Sequence, residues 1–208
     1  MTRGGRPLLP GLALAALLGM PLVGSARAQE GQTRAHVDAR TGLAAWSFEA
    51  HGIRIELVQR LPDQTRAFFL GRGFGRDAAD RIAARCLFQT TVRNTFPRGG
   101  PSVAVRLAEW RAHTPQGLEP PIPKAQWRNE WQRRGVDKAA RLAFQWALFP
   151  SEQNFRPGDW NMGMTTYPLD PGRPLELGLV WHTDGETHRG RMSGMTCASD
   201  ETASELLP

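Results

Sequence analysis

The chain has 208 residues, 40% of them hydrophobic, and a formal net charge of +6 at pH 7. This length allows one well-buried core and is short for two domains. The arginines are scattered along the chain instead of clustering in one run, which argues against a nucleic-acid-binding protein.

Residues 1–28 have the pattern of a secretory signal peptide. Arg3 and Arg6 precede an apolar run over residues 8–23, and Ala26-Arg27-Ala28 forms a small-x-small cleavage site. Removal of this segment would lower the formal charge from +6 to +3, because it contains three arginines and no acidic residue. We therefore predict a periplasmic or secreted protein that does not span a membrane after cleavage.

The first half of the remaining chain alternates between strand and helix signals. Residues 29–45 show no sustained period and are predicted to form a flexible leader. A period of two over residues 52–59 predicts a strand, and Asp63 is a candidate N-cap of a helix that ends near Leu70. A second short helix is predicted over residues 77–85.

Prolines and glycines separate the elements in the middle of the chain. The period of two returns over residues 86–93 and again over residues 103–110, which predicts two more strands. Residues 114–124 carry four prolines and are predicted to form an extended, polyproline-like connection. Residues 125–134 are predicted to form a short helix.

The last third of the chain contains the strongest turn signal. Apolar residues alternate over residues 142–148, so we predict a strand there, with a helix capped by Asp137 as the alternative. Asp184-Gly185 separates two alternating runs, 175–182 and 187–197, and this pattern predicts a hairpin with a two-residue turn.

Together these signals predict a mainly β fold, an antiparallel β-sandwich or barrel-like domain with two or three short helices. It would be a single domain over residues 46–198, followed by a disordered tail over residues 199–208. The two cysteines, Cys86 and Cys197, predict a disulfide in an oxidising compartment. The alternative is that Cys197 is a thiolate ligand of a metal ion.

Methionine, tryptophan and histidine concentrate in one stretch of the chain. All four methionines that follow residue 28 lie between residues 162 and 195. On a strand, Trp160, Met162 and Met164 would share one face, because successive side chains alternate. Two thioethers at this spacing can converge on one soft ion, Cu(I) above all, and the indole of Trp160 would shield it.

The predicted hairpin supplies candidates for a further ligand. The turn at Asp184-Gly185 would place His188 and Met192 on the same strand face. Either residue is a candidate third ligand, with His188 preferred, if this face packs near the strand of Trp160. Met195 has the opposite parity from Met192 unless a bulge at Gly194 reverses it.

The order of residues from Trp160 to Met164 resembles the Cu(I) site of the small periplasmic copper chaperones of bacterial copper/silver efflux systems. In that family a tryptophan caps a metal held by two methionines and a histidine. The likeness covers about five residues, and its spacing departs by one, since Trp160 precedes Met162 by two positions. The resemblance implies a Cu(I) site of this type and no shared fold.

We therefore predict a Cu(I)-binding protein that handles or delivers copper, with a cuproenzyme or copper-transport protein as its partner. The alternative is a metal-free periplasmic binding or protein-interaction module, in which the methionines are core and tryptophans contact the partner. The chain has no Gly-x-Ser-x-Gly elbow, phosphate loop or dinucleotide fingerprint, so an enzyme, such as a hydrolase, is the weaker prediction.

Overall fold

A computed structural model describes residues 1–2 and 31–202, and this part of the chain contains eleven strands and four α-helices. The rest of the predicted signal peptide and the last six residues of the predicted tail lie outside the described residues. The strands are β1 (Arg34–Val37), β2 (Ala44–Ala50), β3 (Ile53–Gln59), β4 (Cys86–Asn94), β5 (Val103–Arg106), β6 (Arg111–Thr114), β7 (Gly117–Glu119), β8 (Glu152–Phe155), β9 (Trp160–Tyr167), β10 (Pro174–Thr183) and β11 (Glu186–Thr196). The helices are α1 (Pro62–Leu70), α2 (Arg76–Ala83), α3 (Lys124–Arg133) and α4 (Lys138–Ala147).

The strands form two antiparallel sheets. Sheet A has the order β1-β2-β3-β4-β9, so β1 and β9 are its edges. Sheet B has the order β7-β6-β10-β5-β8, and β11 pairs with the remaining side of β10. The predicted mainly β fold with sandwich-like packing is confirmed, and the described residues contain four α-helices where two or three were predicted.

The two sheets pack face to face over the main hydrophobic core. Phe48, Ile55 and Phe88 of sheet A contribute to this core together with Leu177 and Trp181 of sheet B. We call the face of sheet A that carries these residues the inner face. Burial of this apolar area, at about 25 cal/mol per Å², is the main force that holds the sandwich together.

The four helices cover part of the opposite, outer face of sheet A. Their second core contains Phe69, Trp131 and Phe144 from the helices, packed against Leu87 of β4 and Met164 of β9. Alternate residues of β4 and β9 therefore enter different cores. The protein consists of a helical layer, sheet A and sheet B, in that order.

The predicted helices after β3 are present, but the first begins differently from the prediction. Leu61 occupies the N-cap position of α1 without a side-chain hydrogen bond, and Pro62 is the first helical residue. Asp63 lies inside the first turn, where its carboxylate pairs with Arg66. Proline at this position is already suited to a helix start because its missing N–H would have no partner there.

The strand predicted over residues 142–148 is wrong, and its alternative is correct. These residues belong mostly to α4, whose N-cap Asp137 accepts a hydrogen bond of 2.7 Å from the Ala139 N–H. Leu142 and Trp146 are exposed and share one side of the helix, whereas Phe144 is fully buried. The alternating pattern arises because it mixes a buried and an exposed helix face.

Two other segments differ from the prediction. Residues 34–37, within the predicted leader, form edge strand β1. Residues 111–119 form the β6–β7 hairpin, which takes the place of the first part of the polyproline-like connection predicted over residues 114–124. All four side chains of β1 are exposed. A strand held only by backbone pairing at a sheet edge has no buried face, so it leaves no hydrophobic period in the sequence.

The β10–β11 hairpin is confirmed together with its register. Trp181 faces His188 across a turn in which Asp184 and Gly185 both have positive φ. Gly194 has a φ of +70°, and the register shifts by one residue beside it. This bulge brings Met195 to the same buried core as Met192.

Candidate functional site

The predicted stripe of one tryptophan and two methionines lies on the outer face of sheet A. These three residues of β9 lie opposite three residues of β4 in the strand register: Trp160 opposite Arg93, Met162 opposite Thr91 and Met164 opposite Gln89. The helices cover only the Met164 end of this stripe. Met164 is 4% exposed, whereas Met162 is 40% and Trp160 51% exposed.

Arg93 lies beside the exposed end of the stripe. Its guanidinium carbon is 5.8 Å from the centroid of the Trp160 ring, within range of a cation–π interaction. No ion pair of Arg93 is present among residues 31–202. We call Arg93, Trp160 and Met162 the Trp160 surface.

The backbone of edge strand β9 also contributes to this region. The Met164 carbonyl accepts a hydrogen bond of 2.9 Å from the Phe149 N–H, so it points away from β4. Met162 has the same orientation by alternation, and its N–H donates to Asn161 Oδ1 at 2.8 Å. The side chain of Asn161 therefore satisfies one outward backbone group at the exposed end of this edge.

The structure does not bring the predicted further ligands to this stripe. His188 and Met192 lie on the side of β11 that faces the inner face of sheet A, and Met192 is fully buried in the core between the sheets. Sheet A therefore separates them from Met162 and Met164. The alternation of side chains in the hairpin was enough to place His188 and Met192 on one face of their strand. It was not enough to locate that strand relative to β9.

His188 has a different set of neighbours. Its Nε2 lies 2.6 Å from Thr183 Oγ1, and its ring stacks on those of His51 at 4.7 Å and Trp181 at 5.5 Å between centroids. Burial lowers the pKa of His188, and the nearby imidazole of His51 lowers it further, while Glu186 acts in the opposite direction. This contact joins the β2–β3 turn to the β10–β11 hairpin.

The cysteines are not available as metal ligands. Cys86 and Cys197 form a disulfide, as predicted, so the alternative of a Cys197 thiolate ligand is wrong. Across residues 31–202, no group of three or more histidine, cysteine, aspartate or glutamate side chains is arranged to hold a metal ion. That set does not include thioethers, so Cu(I) binding by Met162 and Met164 stays a prediction.

Sequence reasoning missed Arg93 and the exposed pair on α4. Leu142 is 58% and Trp146 81% exposed, and α4 ends where Leu148 forms a bridge with Met164. The spacing of four residues between Leu142 and Trp146 would have placed them on one helix face if the Asp137 cap had been preferred. Arg93 had no signal, because it is 67 positions away from Trp160 in sequence.

Comparison of the chain with protein families, curated proteins and solved structures finds no match. None of the helices among the described residues is long and apolar enough to cross a membrane.

Proposed function

We propose that this protein is a periplasmic or secreted interaction module that binds a partner protein through the Trp160 surface. The observation that carries this proposal is the half-exposed Trp160 ring, which lies next to the 40% exposed Met162 and under the cation of Arg93. Tryptophan, methionine and arginine are the residue types enriched in the centres of protein interfaces.

The contrast with the other tryptophans supports this proposal. Five of the seven tryptophans are at most 5% exposed, and only Trp146 and Trp160 present a large part of the ring to solvent. Both lie on the helical side of sheet A, since α4 meets β9 at the Leu148–Met164 bridge. Neither exposed ring contributes much to the core, so we expect a partner protein to cover them.

The location is part of the proposal. The Cys86–Cys197 disulfide is typical of proteins that fold in an oxidising compartment. The signal-peptide pattern of residues 1–28 also supports export from the cytoplasm, which would bring the chain to such a compartment.

A photo-crosslinking experiment tests the proposed function. A photoreactive phenylalanine derivative would replace Met162 in cells that make the protein, with the same replacement at Leu118, which is 58% exposed on sheet B, as the matched control. We expect one partner to be captured at position 162, to be lost when Trp160→Ala is added, and not to be captured at position 118. Equal capture at both positions, or capture that survives Trp160→Ala, would contradict the proposal.

Binding of Cu(I) is the second candidate function. It is favoured by one specific observation, which is that the Met162 and Met164 side chains and the Trp160 ring lie on one strand face at intervals of two residues. In this version Met162 supplies the accessible thioether, and Met164 must turn outward from the helical core to join it. The function would be to handle copper outside the cytoplasm and deliver it to a cuproenzyme or transport protein.

An anaerobic Cu(I) titration against a competing chelator, followed by tryptophan fluorescence, separates the two candidates. If copper is the ligand, the Met162→Leu/Met164→Leu variant loses binding, whereas Met192→Leu retains it because Met192 lies in the other core. If the surface binds a protein, the same double variant keeps its partner, since leucine conserves the apolar surface and nearly conserves volume. Failure to compete with a weak chelator removes the copper candidate.

A further inference from the structure

Arg93 supplies the positive charge of the Trp160 surface, and it has no acidic partner within the described part of the chain. Arg54 of β3 lies opposite Arg93 in the strand register. The Nε of Arg54 donates a hydrogen bond of 2.9 Å to Glu49 Oε2. The charge of Arg54 is therefore balanced by a carboxylate, whereas Arg93 has the Trp160 ring beside it, 5.8 Å from its guanidinium carbon, and no ion pair within residues 31–202.

The wider outer face of sheet A has an excess of positive charge on the side that the helices leave uncovered. Strand register places Arg34, Arg54 and Arg93 on this face. The acidic residues on the same face are Glu49 and Glu56, and the second of these accepts a hydrogen bond from His36.

The nearest carboxylate along the chain from Trp160 is engaged elsewhere. Asp159 Oδ2 accepts a hydrogen bond of 2.9 Å from the Arg156 N–H in the turn before β9. This contact stabilises the turn and points the Asp159 carboxylate at the backbone. Asp159 is therefore held in this turn, and among residues 31–202 it forms no ion pair with Arg93.

The position of Arg93 restricts what can cover Trp160. Any partner that buries the Trp160 ring and the Met162 side chain also removes Arg93 from water. A buried cation without a partner is costly, so a matching occupant has to bring a carboxylate to the guanidinium and an apolar side chain to the ring. An anionic membrane surface fits less well, because its headgroups would be repelled by the carboxylates of Glu49 and Glu56 on the same face of sheet A.

We infer that the Trp160 surface takes an acidic protein segment, with one carboxylate paired to Arg93 and a large apolar side chain packed on Trp160 and Met162. This inference rests on the proposed interaction function and specifies the chemistry of the partner.

Two synthetic peptides test the inference on the full secreted chain. One alternates leucine with glutamate over ten residues, the other leucine with lysine, and binding is followed by fluorescence anisotropy of a label on the peptide. We expect the acidic peptide to bind about tenfold or more tightly than the basic one, and its affinity to fall with added salt. Arg93→Glu should weaken the acidic peptide by about tenfold or more.

Arg189→Glu is the matched control, because Arg189 is exposed on β11 of sheet B and its replacement changes the net charge by the same amount. We expect this variant to weaken binding by less than about threefold. Equal binding of both peptides, or equal effects of Arg93→Glu and Arg189→Glu, would overturn the inference. Binding to phosphatidylglycerol vesicles that depends on Arg93, in the absence of peptide binding, would also overturn it in favour of a membrane surface.

These outcomes are separable from those of the crosslinking experiment. If a partner is captured at position 162 but the peptides do not distinguish charge, the interaction function stands and the acidic partner is wrong. If nothing is captured at position 162, the function itself fails, whatever the peptides do.

Discussion

Cys86 and Cys197, which are 111 positions apart in sequence, are joined by a disulfide that connects the first residue of β4 to the residue after β11. The bond therefore links sheet A to sheet B at one end of the main core. Both sulfur-bearing residues are almost completely buried. The disulfide therefore holds the two sheets together and does not merely close a short local loop.

We expect the Cys86→Ala/Cys197→Ala variant to lose about 2–5 kcal/mol of unfolding free energy, because the unfolded chain regains the freedom that a long crosslinked loop removes. Urea unfolding of the oxidised protein and of the variant, monitored by tryptophan fluorescence, measures this difference. Equal midpoints and slopes for the two proteins would contradict a stabilising role of the disulfide.

Substitution of the two candidate helix caps is expected to cost different amounts of stability. Asp137→Ala should destabilise the protein by about 1 kcal/mol, because the carboxylate that accepts from the Ala139 N–H is lost. Asp63→Ala should cost at most about 0.5 kcal/mol, since Asp63 only takes part in an exposed ion pair with Arg66. Thermal unfolding of both variants provides the measurement, and a larger loss for Asp63→Ala would contradict the observed start of α1.

Local signals in the sequence were enough to predict most individual elements. The Asp184-Gly185 turn predicted the hairpin and its register, because a two-residue turn leaves only one pairing of the strands. The buried alternation of β3 and β4 was equally clear, with Ile53 and Val92 on the core side. Elements without a buried face, such as β1, could not be found in this way.

Long-range pairing could not be predicted, and it determines the candidate site. Nothing in the local period specifies that β9 pairs with β4, so the contact of Arg93 with Trp160 was not predicted. For the same reason, the sequence could not show that sheet A separates Met162 from Met192. Residue types in one stretch of sequence predict a cluster only when their strands also share a face.

Gly163 is a position where the close approach of two chain segments excludes a side chain. A Cβ at residue 163 would lie 2.4 Å from the Phe149 nitrogen, which is itself held by its hydrogen bond to the Met164 carbonyl. We expect Gly163→Ala to destabilise the protein by about 2–3 kcal/mol or more, because backbone has to move to relieve the overlap. Denaturant unfolding measures the loss.

Gly178→Ala is the control for this prediction. Its added Cβ would lie 3.6 Å from the Arg111 carbonyl oxygen, which is an ordinary contact distance. We expect a change of less than about 0.5 kcal/mol at this half-buried position, which lies on the side of sheet B away from the main core. A loss as large as that of Gly163→Ala would show that the approach of residue 149 is not the reason for the cost at position 163.

The imidazole contact between the two hairpins predicts a loss of stability in acid. Burial and His51 lower the pKa of His188 in the folded protein relative to its usual value of 6.5. The unfolded chain therefore binds this proton more readily, so the contribution of His188 to stability falls as the pH drops below about 6.5 and levels off below the folded pKa. Above that range His188 is neutral in both states and contributes no pH dependence.

His51→Asn should reduce this acid sensitivity, because after burial the imidazole of His51 is the largest cause that lowers the His188 pKa. Asparagine, like histidine, is among the residues that tolerate the positive φ of 42° at this turn position, and it carries no charge. The measurement is the unfolding free energy at pH 7.5 and at pH 5, where the variant should lose less than the unmodified protein. His113→Asn, which removes an imidazole 3.2 Å from Glu176 on sheet B, should not reduce the loss, and a reduction as large as that of His51→Asn would show that the effect does not arise at the His51–His188 contact.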